Sequence, residues 1–200
     1  MTAPTASDVV LRAQRTLDEA ARVHARLRDG DLGPIVAAAG AIGESLARGG
    51  QVLVFGNGGS AAEAQHFAAD LVGRFLHERR ALAAVALTTD TSALTAIAND
   101  YGFARVFARQ VEALARRGDV ALGISTSGAS PNVIEGLRTA RAWGLTTIAL
   151  TGHDGGLLAQ DADIHVNVPD EATPRVQEAQ LTLLHILCDL VEQDAIARRS

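Results

Sequence analysis

The sequence predicts an α/β fold in which a parallel sheet is covered by helices on both faces. From Gln51 onward, short apolar or β-branched runs alternate with longer stretches that have helical spacing. The apolar runs contain few polar residues, which is typical of strands that are buried on both faces of a parallel sheet. Polar, turn-forming residues follow three of the runs, at the sheet edge where such folds bind ligands. The 200 residues are enough for one such domain and too few for two ordinary ones.

Two helices precede the alternating region. The first has a start signal at Ser7-Asp8, and apolar residues then recur at helical spacing up to Gly30. The second follows Pro34 and ends at Gly49-Gly50. The apolar stripe of this pair is wide, so we expect residues 1–50 to pack on the domain and on neighbouring subunits.

The remaining chain is predicted to form five strands and five helices. The predicted strands are 52–55, 83–87, 120–124, 146–150 and 164–168. The predicted helices are at about 60–77, 91–115, 131–143, 155–160 and 174–195. Strands that alternate with helices in this way indicate βαβ units and therefore a parallel sheet.

The composition argues against several classes of function. A net charge of −5 and an aromatic content of 4% argue against a nucleic-acid-binding surface. The single cysteine, Cys188, excludes an internal disulfide, and its apolar helical setting predicts a packed thiol. No apolar run approaches the ~20 residues that span a bilayer. Residues 1–5 lack the pattern of a signal peptide, so we expect a cytoplasmic protein.

The glycine-rich turn after the first predicted strand is suited to bind an anion. The turn reads Gly56-Asn57-Gly58-Gly59-Ser60 and leads directly into a helix. Backbone N–H groups and the positive end of the helix dipole favour a phosphate at such a position. The spacing lacks the third glycine of a dinucleotide-binding loop and the Gly-Lys-Ser/Thr ending of a P-loop. It therefore disfavours both Rossmann cofactor binding and nucleotide hydrolysis.

A hydroxyl-rich turn follows the predicted strand 120–124. Its candidate phosphate ligands are Ser125, Thr126, Ser127 and Ser130. A plain helix cap is the ordinary role of a turn like this one. Three polar turns at one sheet edge, after strands 52–55, 83–87 and 120–124, favour a binding site instead.

Two pairs of residues are candidates for acid–base or metal chemistry. His66 and Asp70 are four residues apart and therefore lie on one helix face. They are either metal ligands, a base with its orienting partner, or an exposed surface pair. Gln177 and His185 share a face of the last helix, where a histidine among apolar neighbours is more often a core residue.

These motifs resemble the sugar isomerase (SIS) domain family and, within it, the phosphoheptose isomerases. The resemblance runs from the N-terminal helices to about Glu192. It rests on the glycine turn, His66–Phe75, Thr95–Gly102, Gly123–Gly128, Arg175–Glu178 and His185. It implies a flavodoxin-like SIS domain with a five-stranded parallel sheet between helices, assembled as a homotetramer with sites between subunits. The implied reaction converts sedoheptulose 7-phosphate to glycero-manno-heptose 7-phosphate.

The resemblance also assigns roles to residues of this chain. It implies that zinc, one ion per subunit, is held by His66, Asp70, Gln177 and His185. It implies that Asp70 and His185 form the acid–base pair. The implied substrate contacts are Asn57, Gly58, Gly59, Asp70, Asn99, Asp100, Ser125, Thr126, Ser127, Ser130 and Gln177. The expected partners are the sugar phosphate and further copies of the chain, with no nucleic acid and no membrane.

The sequence departs from the family pattern at Asp70, where the family has glutamate. The aspartate side chain is one methylene shorter, which retracts the carboxylate by ~1.5 Å. A displacement of about 1 Å can lower a rate ~100-fold. Smaller departures are Glu63, often aspartate in the family, and Gln180, often histidine. The alternative is a non-catalytic SIS-domain protein that binds a sugar phosphate or a replication initiator. Relatives of that kind lack both the carboxylate and the histidine, whereas this chain retains both.

Overall fold

The fold is centred on a five-stranded parallel sheet in a computed structural model that describes residues 5–198. The strands are β1 Val52–Gly56, β2 Ala84–Ala86, β3 Val120–Ser125, β4 Thr146–Gly152 and β5 Ile164–Val168. Their order is β2-β1-β3-β4-β5, and every neighbouring pair is parallel. This is the strand order of flavodoxin-like folds, and it confirms the predicted α/β class.

Helices cover both faces of the sheet. Those in the described residues are α1 Ala6–Asp29, α2 Gly33–Ala47, α3 Gly59–Val72, α4 Thr91–Tyr101, α5 Val106–Leu114, α6 Pro131–Ala142, α7 Leu158–Asp161 and α8 Thr173–Ala197. The apolar core beneath one face includes residues of α1, α2, α3 and α8. The core beneath the other face includes residues of α5, α6 and α7, with α4 at its margin.

Strand β1 shows why the strands are apolar throughout. All five of its residues are buried. Val52 and Val54 belong to the core under α3 and α8, whereas Leu53 and Phe55 belong to the core under α5 and α6. Alternate side chains thus point into two apolar layers, and a polar residue on either face would be buried without a partner.

Three predicted helices differ from those in the structure. The helix predicted at 60–77 ends at Val72, and an irregular segment then runs to β2. The helix predicted at 91–115 breaks at Gly102, whose φ is 84°, and resumes after one 3-10 turn as α5. A positive φ is accessible to glycine and ends an α-helix. The helix predicted at 155–160 is the single turn α7, because Gly155 and Gly156 also adopt positive φ.

Helix α1 begins one position earlier than the predicted start signal. Thr5 is the N-cap, and it forms a capping box with Asp8. Residues 1–4, on which the prediction about a signal peptide largely depends, lie outside the described part of the chain. Among residues 5–198, no helix combines the length and the hydropathy that a bilayer span requires.

Candidate active site

The candidate site lies where β1 and β3 end side by side. In a sheet of this order, the chain leaves these two neighbouring strands toward opposite faces, which opens a crevice beyond their carboxyl ends. The glycine turn leads from β1 into α3, and the serine-rich turn leads from β3 into α6. The starts of two helices therefore flank the crevice, and both favour negative charge.

Asn57 ties the two turns together. Its side chain exchanges two hydrogen bonds of 2.8 Å with the side chain of Asn132, the second residue of α6. Asn132 is buried, so this reciprocal amide pair fixes the distance between the glycine turn and the serine turn. Gly58 is exposed beside it, with a φ of 57°. The turn thus keeps a backbone conformation that a side chain at Gly58 would strain.

The serine turn has a fixed shape. The Ser125 and Ser130 hydroxyl oxygens are 2.9 Å apart, and the Ala129 N–H donates to Ser127 Oγ. Behind the turn, the Gly128 carbonyl accepts a hydrogen bond from the Leu158 N–H. A methyl group at Gly128 would overlap the Gly155 carbonyl. Two loops therefore pack backbone against backbone, so the hydroxyls lie on a rigid support at the crevice.

His66, Asp70 and His185 converge between α3 and α8, about two helical turns along α3 from the glycine turn. The His66 and His185 Nε2 atoms are 2.9 Å apart, and Asp70 Oδ2 is 3.4 Å from His66 Nε2. One ligand atom from each residue lies within 4.8 Å of the other two. The side chain of His66 is half exposed and that of Asp70 is mostly buried, so the cluster is open to solvent on one side. These three residues could hold a metal ion.

Parallel packing of α3 and α8 brings the cluster together. Gly59 lies against Gln177, His66 against His185, and Asp70 against Cys188. The sequence separation stays at 118 or 119 residues along the two hydrogen-bonded pairs. Gln177, a residue of α8, therefore packs beside the start of α3. It precedes His185 by about two turns and lies on the same face of α8.

The shorter carboxylate of Asp70 reaches the cluster. Its Oδ2 is also 3.9 Å from the Cys188 sulfur, which acts as a weak donor. Cys188 is fully buried, as its apolar setting predicts, and burial and the nearby Asp70 raise the pKa of its thiol. The sulfur consequently stays protonated, and its S–H faces the Asp70 carboxylate.

Glu63 is a buried carboxyl group one turn before His66. It is 8% exposed, and its Oε2 has no hydrogen-bond partner among the described residues. Burial raises the pKa of Glu63 to about 7. The carboxyl group is thus partly protonated near neutral pH, although it belongs to a residue type that is normally ionised there.

We expect Glu63→Gln to stabilise the protein at alkaline pH. The pKa of an unfolded glutamate is about 4.3, so between this pH and about 7 the folded state holds a proton that the unfolded state has lost. Stability therefore falls as the pH rises through this interval. The variant should be more stable than the wild type by about 1–3 kcal/mol at pH 8 and by much less at pH 5. Urea unfolding in EDTA measures both differences.

The matched control for this prediction is Glu44→Gln. Glu44 is an exposed glutamate within α2, where solvent screens its ion pair with Arg48. Its substitution should change stability by similar small amounts at both pH values. A gain at Glu63 that is the same at pH 5 and pH 8 would contradict the assignment of a buried, titrating carboxyl.

Two predicted substrate contacts are carried by α4. Asn99 and Asp100 are exposed near the end of α4, where the Asn99 side chain donates to Asp100. Among residues 5–198, no hydrogen bond links either side chain to the glycine turn, the serine turn or the histidine cluster. Hydrogen bonds thus connect Asn57 with Asn132, Ser125 with Ser130 and His66 with His185, and they do not include this pair.

The sequence analysis predicted helix for residues 73–77 and assigned no role in the site to the segment that follows α3. Phe75 in this segment places its ring 5.5 Å from the His185 ring. Arg79 and Glu192 form an ion pair with an Nε–Oε1 distance of 3.2 Å, and both side chains are fully buried. Asn132 was also missed, although a polar residue directly after Pro131 at a helix start is a signal for it.

Comparisons with known proteins agree on one family. A model of the SIS domain family matches residues 17–152. The phosphoheptose isomerase of Geobacter sulfurreducens is 60% identical over 161 residues, which is 80% of this chain and 85% of the relative. The structure of the Neisseria gonorrhoeae phosphoheptose isomerase superposes with a TM-score of 0.88 at 47% identity, covering 92% and 99% of the two chains. That of the Francisella tularensis enzyme gives a TM-score of 0.89 at 36% identity, covering 92% and 98%.

Proposed function

The chain belongs to the phosphoheptose isomerases of the SIS domain family, and from this premise we propose that it converts sedoheptulose 7-phosphate to D-glycero-D-manno-heptose 7-phosphate. The observation that carries the proposal is the convergence of His66, Asp70 and His185, with His66 and Asp70 on the helix that begins at the glycine turn. One part of the site suits a phosphate, and the other suits the transfer of protons at a sugar carbon.

The phosphate is assigned to the serine turn. Ser125, Thr126, Ser127 and Ser130 supply hydroxyl donors, and the start of α6 supplies a favourable dipole. The Asn57–Asn132 pair keeps this turn at a fixed distance from the glycine turn. Gly58 and Gly59 allow the sugar to approach the backbone closely, because neither residue has a side chain.

Zinc fits the donor set of the cluster. Two imidazole nitrogens and a carboxylate oxygen are zinc ligands of the usual kind, and the Gln177 amide oxygen is a further candidate. When bound, zinc would polarise the substrate oxygens and offset the negative charge that develops on them. The proposed ligands are therefore His66, Asp70, Gln177 and His185, with one ion per subunit.

Asp70 and His185 are proposed to move the protons. The reaction takes a proton from C1 of the ketose and returns one to C2, while hydroxyl and carbonyl oxygens exchange their roles through an enediol. A carboxylate and an imidazole can take the two parts of this acid–base work. The Oδ2 of Asp70 belongs to the same cluster as the His185 Nε2, so both groups reach one small substrate region.

Turnover in D2O tests this chemistry. If the C1 proton passes through a group that exchanges with solvent, the aldose product carries deuterium at C2. Treatment with EDTA should abolish turnover, and added zinc should restore it. Deuterium at C2 excludes a direct hydride shift from C1 to C2, whereas product without deuterium means either such a shift or a base that is shielded from solvent. Full activity of a zinc-free protein would contradict the role of the metal.

We expect Gly59→Ala to lower turnover while the fold is retained. A methyl group at Gly59 would overlap the Gln177 amide, which is the movable end of a flexible side chain. Gln177 would therefore swing away at little cost in stability. A displacement of about 1 Å in a site can lower the rate ~100-fold. Steady-state kinetics should show this loss in kcat/KM.

Gly40→Ala is the control for this substitution. A Cβ at Gly40, within α2, has no atom within 4 Å, and alanine should stabilise the helix by about 1 kcal/mol. Its kcat/KM should stay within twofold of the wild type. Equal activity of the two alanine variants would remove Gln177 from the proposed ligand set.

The proposal includes a homotetramer with sites between subunits. Residues 1–200 would form one SIS domain whose N-terminal region, 1–50, packs on the domain and on other subunits. The first half of α1 supports this, because Val9, Val10 and Leu17 are exposed in the protomer. Light scattering should give four times the 20.8 kDa chain mass.

A further inference from the structure

The segment between α3 and β2, residues 73–83, passes beside the histidine cluster. We call it the anchor loop. It is irregular, and Leu76, one of its apolar residues, is 58% exposed. Phe75 is only partly exposed, because it packs on the core beneath α3 and α8. The anchor loop therefore directs one aromatic side chain inward at the edge of the cluster.

Phe75 and His66 lie against the same imidazole. The His185 ring centroid is 5.0 Å from that of His66 and 5.5 Å from that of Phe75. The Phe75 and His185 rings are inclined by 31°. Such aromatic contacts fall in the range of favourable ring packing. The Phe75 ring fills space into which the imidazole would otherwise be free to turn.

Glu192 holds the backbone of Phe75 in place. Its Oε1 accepts the Phe75 N–H at 3.0 Å, and its Oε2 accepts the N–H groups of Leu76 and His77 at 2.8 Å each. Glu192 lies seven residues after His185, about two turns along the same face of α8. The carboxylate that fixes Phe75 thus stands on the same rigid helix as the imidazole that Phe75 contacts.

Arg79 links this arrangement to Asp70. The guanidinium is paired with Glu192 and donates to the carbonyls of Asp70, Leu71, Gly73 and Arg80. The bond from Nη2 to the Asp70 carbonyl is 2.8 Å long. A fully buried ion pair therefore joins the end of α3, which carries Asp70, to α8, which carries His185.

We infer that Phe75 is a positioning residue for His185, held against the imidazole by the anchor loop and the buried Arg79–Glu192 pair. The inference rests on the proposed function, because it assumes that His185 acts as a ligand and as a proton carrier. Side chains that orient a metal ligand typically change metal affinity or activity by 10–100-fold when they are altered. Phe75 acts on the ligand through ring packing.

Zinc affinity of Phe75 variants tests the inference without turnover. Phe75→Leu keeps an apolar side chain and removes the ring, whereas Phe75→Tyr keeps the ring. Competition with a chromophoric chelator should show zinc binding about tenfold weaker in the leucine variant. The tyrosine variant should stay within twofold of the wild type. Leu76→Ala, an exposed change in the same loop, should leave the affinity unaltered.

Cobalt substitution and kinetics give two further readouts. The visible spectrum of bound Co²⁺ should shift in Phe75→Leu and not in Leu76→Ala. The leucine variant should lose kcat about tenfold with KM within twofold, because the substrate contacts remain. Thermal unfolding verifies that each variant is folded at the assay temperature.

The outcomes separate the two proposals. Wild-type protein that binds zinc, together with Phe75→Leu of equal affinity, would overturn the role of Phe75 and leave the isomerase proposal standing. Weaker binding in Phe75→Tyr and Phe75→Leu alike would also overturn it, since the ring is then not what matters. Wild-type protein with no affinity for zinc would contradict the metal site and the positioning role together.

Discussion

Replacing His185 by glutamine is expected to lower kcat by about 10²–10⁴-fold. Glutamine fills a similar volume and retains a hydrogen-bonding end, but it cannot carry a proton between substrate atoms near neutral pH. His185 also offers its Nε2 to the cluster with His66 and Asp70. Steady-state kinetics with sedoheptulose 7-phosphate at saturating zinc measures the loss.

His77→Gln is the control for the catalytic histidine. His77 is exposed in the anchor loop, and its backbone N–H, not its ring, is bonded to Glu192. Its variant should keep kcat within twofold of the wild type. A His185→Gln protein that retains more than a tenth of the wild-type kcat would remove His185 from the acid–base pair.

Glu192→Gln is expected to destabilise the fold by about 3–5 kcal/mol. The substitution leaves the Arg79 charge buried without its partner, since both side chains are fully inaccessible. For a domain of this size the loss corresponds to a fall in Tm of roughly 6–20 °C. Glu78→Gln, an exposed change in the anchor loop, should shift Tm by less than about 2 °C, within the usual range for surface sites.

The Arg79–Glu192 pair also predicts how the stability of the protein changes at acidic pH. Burial acts to raise the pKa of Glu192, but the N–H groups of Phe75, Leu76 and His77 and the Arg79 charge hold it below its ordinary value. The stability from this group is therefore present above about pH 4.3 and is lost as the pH falls below it. Scanning calorimetry should show that Glu192→Gln closes part of its gap to the wild type as the pH is lowered. A gap that is constant with pH would contradict the prediction.

The sheet could be predicted from the sequence because its signal is local. Each strand is a short apolar run, and burial on both faces leaves no room for polar residues, as in β1. The ends of α3 and α4 were harder to predict from the sequence. Gly102 ends α4 through a backbone conformation within an otherwise helical pattern. Helix α3 ends at its C-cap Gly73. The course of the segment that follows depends on Arg79 and Glu192, which are 113 positions apart, and no local pattern reveals that pair.

Some residues of the candidate site could be predicted from the sequence, and others could not. Spacing alone put His66 and Asp70 on one helix face, and the structure brings their side chains to 3.4 Å. For His185, spacing favoured a core residue, and the resemblance to the SIS domain family pointed to the site. The structure brings its Nε2 to 2.9 Å from that of His66. The contacts of Asn57 with Asn132 and of Phe75 with His185 depend on tertiary packing, so sequence spacing could not reveal them.

The most direct test of the isomerase account is to follow sedoheptulose 7-phosphate by NMR in the presence of the protein and zinc. We expect the aldose signal of the heptose 7-phosphate to appear with the wild-type protein. It should be absent at the same concentration of the Asp70→Ala, His185→Ala double variant. Wild-type turnover no faster than that of the double variant would contradict the account.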